Sequence, residues 1–175
     1  MRTAFWKSWS TVFERHSCAS ESCQNRRGRL SSGAEGGRKL KTEVRKQFSV
    51  FLVNEPGTLA GLTSLLGERG VNIFALTLTG GIDHGYVRMV VDNHELARRL
   101  LNQAAYVFFE KDVVLVILPN RAGALATVSR LWFDNGINIE YVYCAGSPDV
   151  AEGLVVFGVD QVEKAAALAA AAELE

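Results

Sequence analysis

The sequence predicts an α+β fold of two tandem βαββαβ units. Three observations carry that expectation: a repeat at a spacing of 66 residues, short β-branched runs set between helically periodic stretches, and a hydrophobic content of 48% in 175 residues. Such a chain can bury two small cores. It has no apolar run long enough for a membrane-spanning helix, so a membrane is not an expected partner.

The repeat is explicit. Asn54-Glu55-Pro56-Gly57-Thr58-Leu59-Ala60 reappears as Asn120-Arg121-Ala122-Gly123-Ala124-Leu125-Ala126, and Gly70-Val71-Asn72-Ile73 as Gly136-Ile137-Asn138-Ile139, both 66 positions on. Between them Leu59, Leu62, Leu65 and Leu66 correspond to Leu125, Val128, Leu131 and Trp132. Gly85-Tyr86-Val87 matches Gly153-Leu154-Val155 at 68, which two extra loop residues explain.

Each element follows from local chemistry. Phe48 to Val53 is an apolar, β-branched run and reads as a buried strand. Pro56-Gly57 ends it, and a helix follows over 58–68 with its leucines on one face. Gly70 stands where a helix C-terminus needs left-handed backbone. Ile73 to Thr79 alternates, with Phe74, Leu76 and Leu78 on one side of a half-exposed strand. Gly80 to Gly85 is a hairpin loop and Tyr86 to Val91 the returning strand. Asn93 can cap a helix that turns Leu96, Leu100 and Leu101 inward. Val107 to Phe109 is a fourth strand, and Glu110-Lys111-Asp112 marks a junction.

The second unit repeats the plan with strand 113–118, helix 124–134, strands 137–143 and 153–159, and helix 161–172. Asp160 and Glu163 resemble a capping pair for that last helix. The chain stops at Glu175, so this unit is expected to lack its last strand. Each unit is a ferredoxin-like plait, an antiparallel sheet with two helices on one face. A lone plait leaves a sheet edge unpaired, and two copies can pair edges or stack.

Residues 47–112 and 113–175 are thus the two domains, and 1–46 read as a disordered basic extension. That extension holds 11 Lys and Arg against 4 Glu, whereas the remainder holds 8 basic and 15 acidic residues, which argues against nucleic acid as a partner. Phe5, Trp6, Trp9, Val12 and Phe13 fall on one helical face. An amphipathic anchor or targeting peptide is one reading of that face, and an unstructured extension the plainer one. His16, Cys18 and Cys23 lack the four ligands of a zinc site. Three scattered cysteines argue against a disulfide scaffold and for a reducing, cytoplasmic setting.

No nucleophile stands with a base. His84 falls in a hairpin loop and His94 at a helix start, Cys144 reads as a packed residue, and no phosphate loop, dinucleotide fingerprint or zinc-protease motif occurs. No enzyme activity and no cofactor are therefore expected. RNA-recognition modules share this topology, but Gly85-Tyr86-Val87-Arg88-Met89 lacks their aromatic pattern.

Phe48-Ser49-Val50-Phe51-Leu52-Val53-Asn54-Glu55-Pro56-Gly57-Thr58-Leu59 followed by Gly70-Val71-Asn72-Ile73 resembles the ACT domain signature. Asn138-Ile139-Glu140-Tyr141-Val142-Tyr143 is similar to the second half of small stand-alone proteins with two ACT domains. The resemblance covers 47 to about 172, with Ala122 replacing the loop proline in the second copy. It implies a regulatory protein that binds a free amino acid between two ACT domains and acts as an allosteric sensor. It also implies a biosynthetic enzyme as partner, and the open edge of a plait points to a homodimer. The alternative is a regulatory subunit of the acetolactate synthase small-subunit type, whose second half should not copy the first.

A zwitterion suits these residues. The loop before each first helix presents unpaired backbone N–H groups to a carboxylate. Gly57 and Gly123 let a ligand approach the main chain, unless they are only turn glycines. The expectation is two pseudo-equivalent sites between the units. One joins Asn54, Glu55, Pro56, Gly57, Thr58 and Leu59 to Asn138 and Ile139; the other joins Asn120, Arg121, Ala122, Gly123, Ala124 and Leu125 to Asn72 and Ile73. Glu55 and Arg121 break the symmetry in charge.

Overall fold

The computed structural model describes residues 38–174 apart from 82 and 146–148. Phe5, Trp6, Trp9, Val12, Phe13, His16, Cys18 and Cys23 lie outside the described residues. The described chain runs β1 (Arg38–Lys39), β2 (Lys41–Val53), α1 (Thr58–Gly67), β3 (Ile73–Gly80), β4 (His84–Val91), α2 (His94–Gln103) and β5 (Phe108–Pro119). It continues with α3 (Ala124–Asp134), β6 (Ile139–Ala145), β7 (Glu152–Val159), α4 (Val162–Ala171) and β8 (Glu173–Leu174).

Six strands form one antiparallel sheet in the order β3-β4-β2-β5-β7-β6, and β1 pairs separately with β8. Read from either edge, the order is that of a plait. The two units therefore share one sheet, joined by the β2–β5 pair.

That pair corrects two expectations. Glu110-Lys111-Asp112 is no junction but the middle of an unbroken strand. Its charges tolerate the ladder because each has a partner: Glu110 accepts from Arg98 Nε and Nη2 at 2.7 and 2.8 Å, Lys111 pairs with Glu140, and Asp112 accepts from Lys46 Nζ at 3.0 Å. Likewise β2 opens at Lys41, inside the segment read as an extension, and Lys41–Gln47 pairs with Ile117–Lys111. The fourth-strand position of the second unit is thus filled from the head of the same chain. Each long strand is the first strand of one unit and the fourth of the other.

Alternation sorts the sheet faces. Phe48, Val50 and Leu52 meet Leu62, Leu66, Met89 and Leu101 under α1 and α2. Val114, Val116 and Phe157 meet Val128, Trp132 and Ala165 under α3 and α4. Full burial of each large apolar side chain contributes about 1.5–3 kcal/mol. Trp132 also satisfies its polar atom, donating from Nε1 to the Ala165 carbonyl at 3.0 Å, with its ring edge-on to Phe157 at 4.7 Å.

Opposite the helices the sheet curls until the outer strands β3 and β6 meet. Ala75, Val90, Val113, Leu115 and Val156 pack there with Tyr141 and Tyr143. Gln47, wholly buried, donates to the Tyr141 hydroxyl and accepts from the Tyr143 hydroxyl, both at 2.9 Å. Burial, and then the neighbouring Tyr141, push the Tyr143 hydroxyl pKa far up, so this donor stays protonated. The Arg88 guanidinium lies 4.4 Å from the Tyr86 ring centre and 4.1 Å from that of Tyr141, joining the two units.

Two local readings also change. A register shift between Ile73 and Ala75 takes Phe74 out of the alternation with Leu76, and Phe74 instead lies beside Arg45. Asp160 does not cap α4, whose N-cap is Gln161; its carboxylate accepts from the Asn138 N–H at 2.9 Å. Asn93 does cap α2, accepting from Leu96 N–H at 3.1 Å.

Candidate functional site

The chain turns sharply where β2 meets α1 and where β5 meets α3. Gly57 (φ 96°) and Gly123 (φ 90°) supply the left-handed residue at each turn. A Cβ built at either glycine meets no atom within 4 Å, so the backbone angle and not crowding demands glycine, and the space before each turn is open. No side chain caps α1 or α3; the first amide of each, on Thr58 and Ala124, bonds back to the Glu55 and Arg121 carbonyls at 3.4 Å, and the amides that follow have no carbonyl four residues back within the helix.

Asn54 and Asn120 act as straps. Asn54 donates from Nδ2 to the Gly81 carbonyl at 2.9 Å, and Asn120 to the Val150 carbonyl at 3.1 Å. Their backbone amides bond to Asp83 and Ala151 at 2.9 and 2.8 Å. Each loop is thereby fastened to the hairpin of its own unit.

A hollow opens beside each turn. In the first unit it measures about 100 Å³ and includes Leu52, Asn54, Glu55, Thr58, Leu59 and Leu78 in its lining. In the second it measures about 330 Å³, with Leu118, Asn120, Arg121, Ala124, Leu125 and Cys144 among its walls. Gly85 and Gly153 floor the two hollows at corresponding places. Pro56, Ala122 and Gly123 shape the turns without lining the hollows.

The opposite-unit asparagines do not join these loops within one chain. Asn72 and Asn138 sit at the starts of β3 and β6, where their N–H groups bond to Asp92 and Asp160 carboxylates at 3.0 and 2.9 Å. Ile73 and Ile139 pack against the cores. Because β2 and β5 run antiparallel, the two turns fall at opposite ends of the sheet, and each hollow is built from one unit alone.

Sequence reasoning missed the strand residues of the walls. Cys144 is exposed rather than packed, on the wall of the second hollow. The 66-residue offset pairs it with Leu78, which would have been enough to find both. His84 borders a third recess with Phe51, Gly81 and Tyr86. His94 stacks on Phe48 at 4.4 Å, its Nε2 3.3 Å from Glu110. Among the described residues no cluster could hold a metal ion, and no helix is long and apolar enough to cross a membrane.

A family model described as an ACT domain pair matches residues 43–175. The crystal structure of protein BT0572 from Bacteroides thetaiotaomicron is 30% identical, with a TM-score of 0.67, over 73% of this chain and 87% of that one. The ligand-free regulatory subunit of aspartate kinase from Thermus thermophilus is 16% identical, with a TM-score of 0.59, over 76% and 95%. The corresponding subunit from Thermus flavus is 15% identical, with a TM-score of 0.55, over 76% and 93%. These last two likenesses concern the fold. No curated protein sequence matches.

Proposed function

Because the chain belongs to the ACT domain pair family, we propose that it is a non-catalytic regulatory protein of the cytoplasm that binds a free amino acid beside its strand-to-helix turns. The observation that supports this reading is the duplicated turn, in which a left-handed glycine and a helix N-terminus without a side-chain cap stand beside an open hollow. Such amides favour a carboxylate, and the aliphatic walls suit a side chain.

Thermal melting of the full chain with each of the twenty amino acids at millimolar concentration tests the proposal. Binding to the folded state raises the melting temperature for at least one of them. A flat response to all twenty removes the proposal.

A second reading is that the regulation is exerted on an associated chain, an identical subunit or a biosynthetic enzyme. Phe51, Tyr86 and Phe109 favour it: the Phe51 ring lies 6.3 Å from that of Tyr86 and 6.0 Å from that of Phe109 on the helix-free face, and Phe51 and Phe109 are about half exposed. The Thermus neighbours are described as regulatory subunits of aspartate kinase, which accords with an enzyme partner. Sedimentation of the purified chain distinguishes the cases, since a monomer at all concentrations excludes the homodimer.

A further inference from the structure

We infer that the two hollows have diverged into one working site and one silent copy, and that the working site, in the second unit, takes an amino acid with an aliphatic side chain whose carboxylate meets Arg121. This rests on the amino-acid-binding reading and narrows it to one unit and one ligand class.

The argument is a position-by-position comparison within the chain. Leu52 and Leu118, Asn54 and Asn120, Leu59 and Leu125, and Gly85 and Gly153 are equivalent in the two linings and alike in kind. Four other pairs differ; Val53 and Pro119 are both apolar, and the remaining three favour the second unit. Where the first unit has Leu78 the second has Cys144, and the smaller side chain leaves room on the wall. Where the first has Thr58, whose hydroxyl lies 3.0 Å from both the Val53 and Glu55 carbonyls and shares its one proton between them, the second has Ala124 with no such tie. These exchanges accompany a hollow of about 330 Å³ in the second unit against one of about 100 Å³ in the first.

The third exchange sets the charge. Glu55 borders the small hollow and Arg121 the large one. A carboxylate drawn to the amides of α1 meets the like charge of Glu55. At α3 it meets a guanidinium able to hold it by two hydrogen bonds. Beyond Arg121 and Asn120 the large hollow is walled by Leu118, Leu125, Leu154 and Val155, which offer a polar side chain nothing in place of its water. An aliphatic side chain loses no hydrogen bond on entering.

Isothermal titration of the full chain with L-valine, L-leucine and L-isoleucine, against L-aspartate and L-lysine, tests the inference. An aliphatic amino acid is expected to bind at one per chain. Its affinity should fall at least ~10-fold in Arg121→Glu, which unpairs the carboxylate, and in Cys144→Leu, which refills the wall. Both positions are exposed, and circular dichroism verifies that the variants remain folded. The converse variant, Glu55→Arg with Thr58→Ala and Leu78→Cys, should gain a second site and raise the stoichiometry to two. Two ligands per wild-type chain, tighter binding of aspartate or lysine, or affinity indifferent to both second-unit variants would overturn the inference and leave the amino-acid-binding reading standing. Failure of all twenty amino acids to bind would take down both.

Discussion

Lys46 and Asp112 pair across β2 and β5 at 3.0 Å, and they stand 66 positions apart, the spacing of the repeat. Each is therefore the other's counterpart, and the pseudo-twofold axis of the chain passes between them. Their neighbours obey the same symmetry: Arg45 faces Val113 and Gln47 faces Lys111, while the counterparts of 45 and 47 are 111 and 113. Both side chains of the pair are about half exposed, so the bond marks the axis more than it stabilises the fold, at about 0.2–1 kcal/mol.

Gly158 lies beneath the Tyr141 ring, and a Cβ there would fall 2.2–2.6 Å from its carbons. Gly158→Ala must push the ring off its bond to Gln47 and off Arg88. We expect a loss of about 1–3 kcal/mol in urea unfolding. Combining it with Tyr141→Ala should remove most of the additional cost, and strict additivity of the two would refute the contact as its cause.

Trp132 anchors the second core and is the only tryptophan among the described residues. Trp132→Ala leaves a large cavity and should cost about 3–5 kcal/mol. Trp132→Phe keeps most of the volume and removes only the indole donor to the Ala165 carbonyl, and should cost less. Guanidinium titrations followed by circular dichroism order the two.

Glu110 binds Arg98 through both oxygens, and that hydrogen bonding, followed by the charge of His94, holds its carboxyl pKa below the usual range against the opposing effect of burial. A carboxyl lowered in the folded state stabilises the fold above its unfolded pKa, and that contribution is lost as pH falls through the folded value. Stability of the wild type should therefore decline on acidification below the ordinary carboxylate range. Glu110→Gln should be less stable at neutral pH and flatter with acid, and parallel curves for the two proteins would exclude this origin.

Gly57→Ala and Gly123→Ala isolate backbone strain, since neither Cβ would touch a neighbour. Each should cost about 1–2 kcal/mol from the left-handed angle alone. Chemical denaturation measures it, and equal effects at the two sites are expected because the angles are nearly the same.

The repeat made the two plaits, their turns and their helix faces legible in the sequence, because buried apolar residues must keep their spacing. The fourth strand of the second unit was hidden because Lys41-Thr42-Glu43-Val44-Arg45-Lys46 is half exposed and charged, and its one apolar residue, Val44, makes no run that announces a strand. The offset of 66 from Phe108 to Asp112 carries the signal, but between dissimilar residues. Asn72 and Asn138 misled for another reason: their main chains, tied to Asp92 and Asp160, shape the start of a strand. At the candidate site the turns could be read directly, whereas Leu78 and Cys144 reach the hollows through strand pairing, which one-dimensional spacing shows only once the copies are aligned.

Strand lending has a further consequence for heredity and engineering. A gene fragment encoding either copy alone would yield a half-sheet missing its borrowed edge, with a bare ladder open to aggregation. The loops of the two copies can drift apart, yet the shared sheet, in which each copy completes the other, ties them into a single piece.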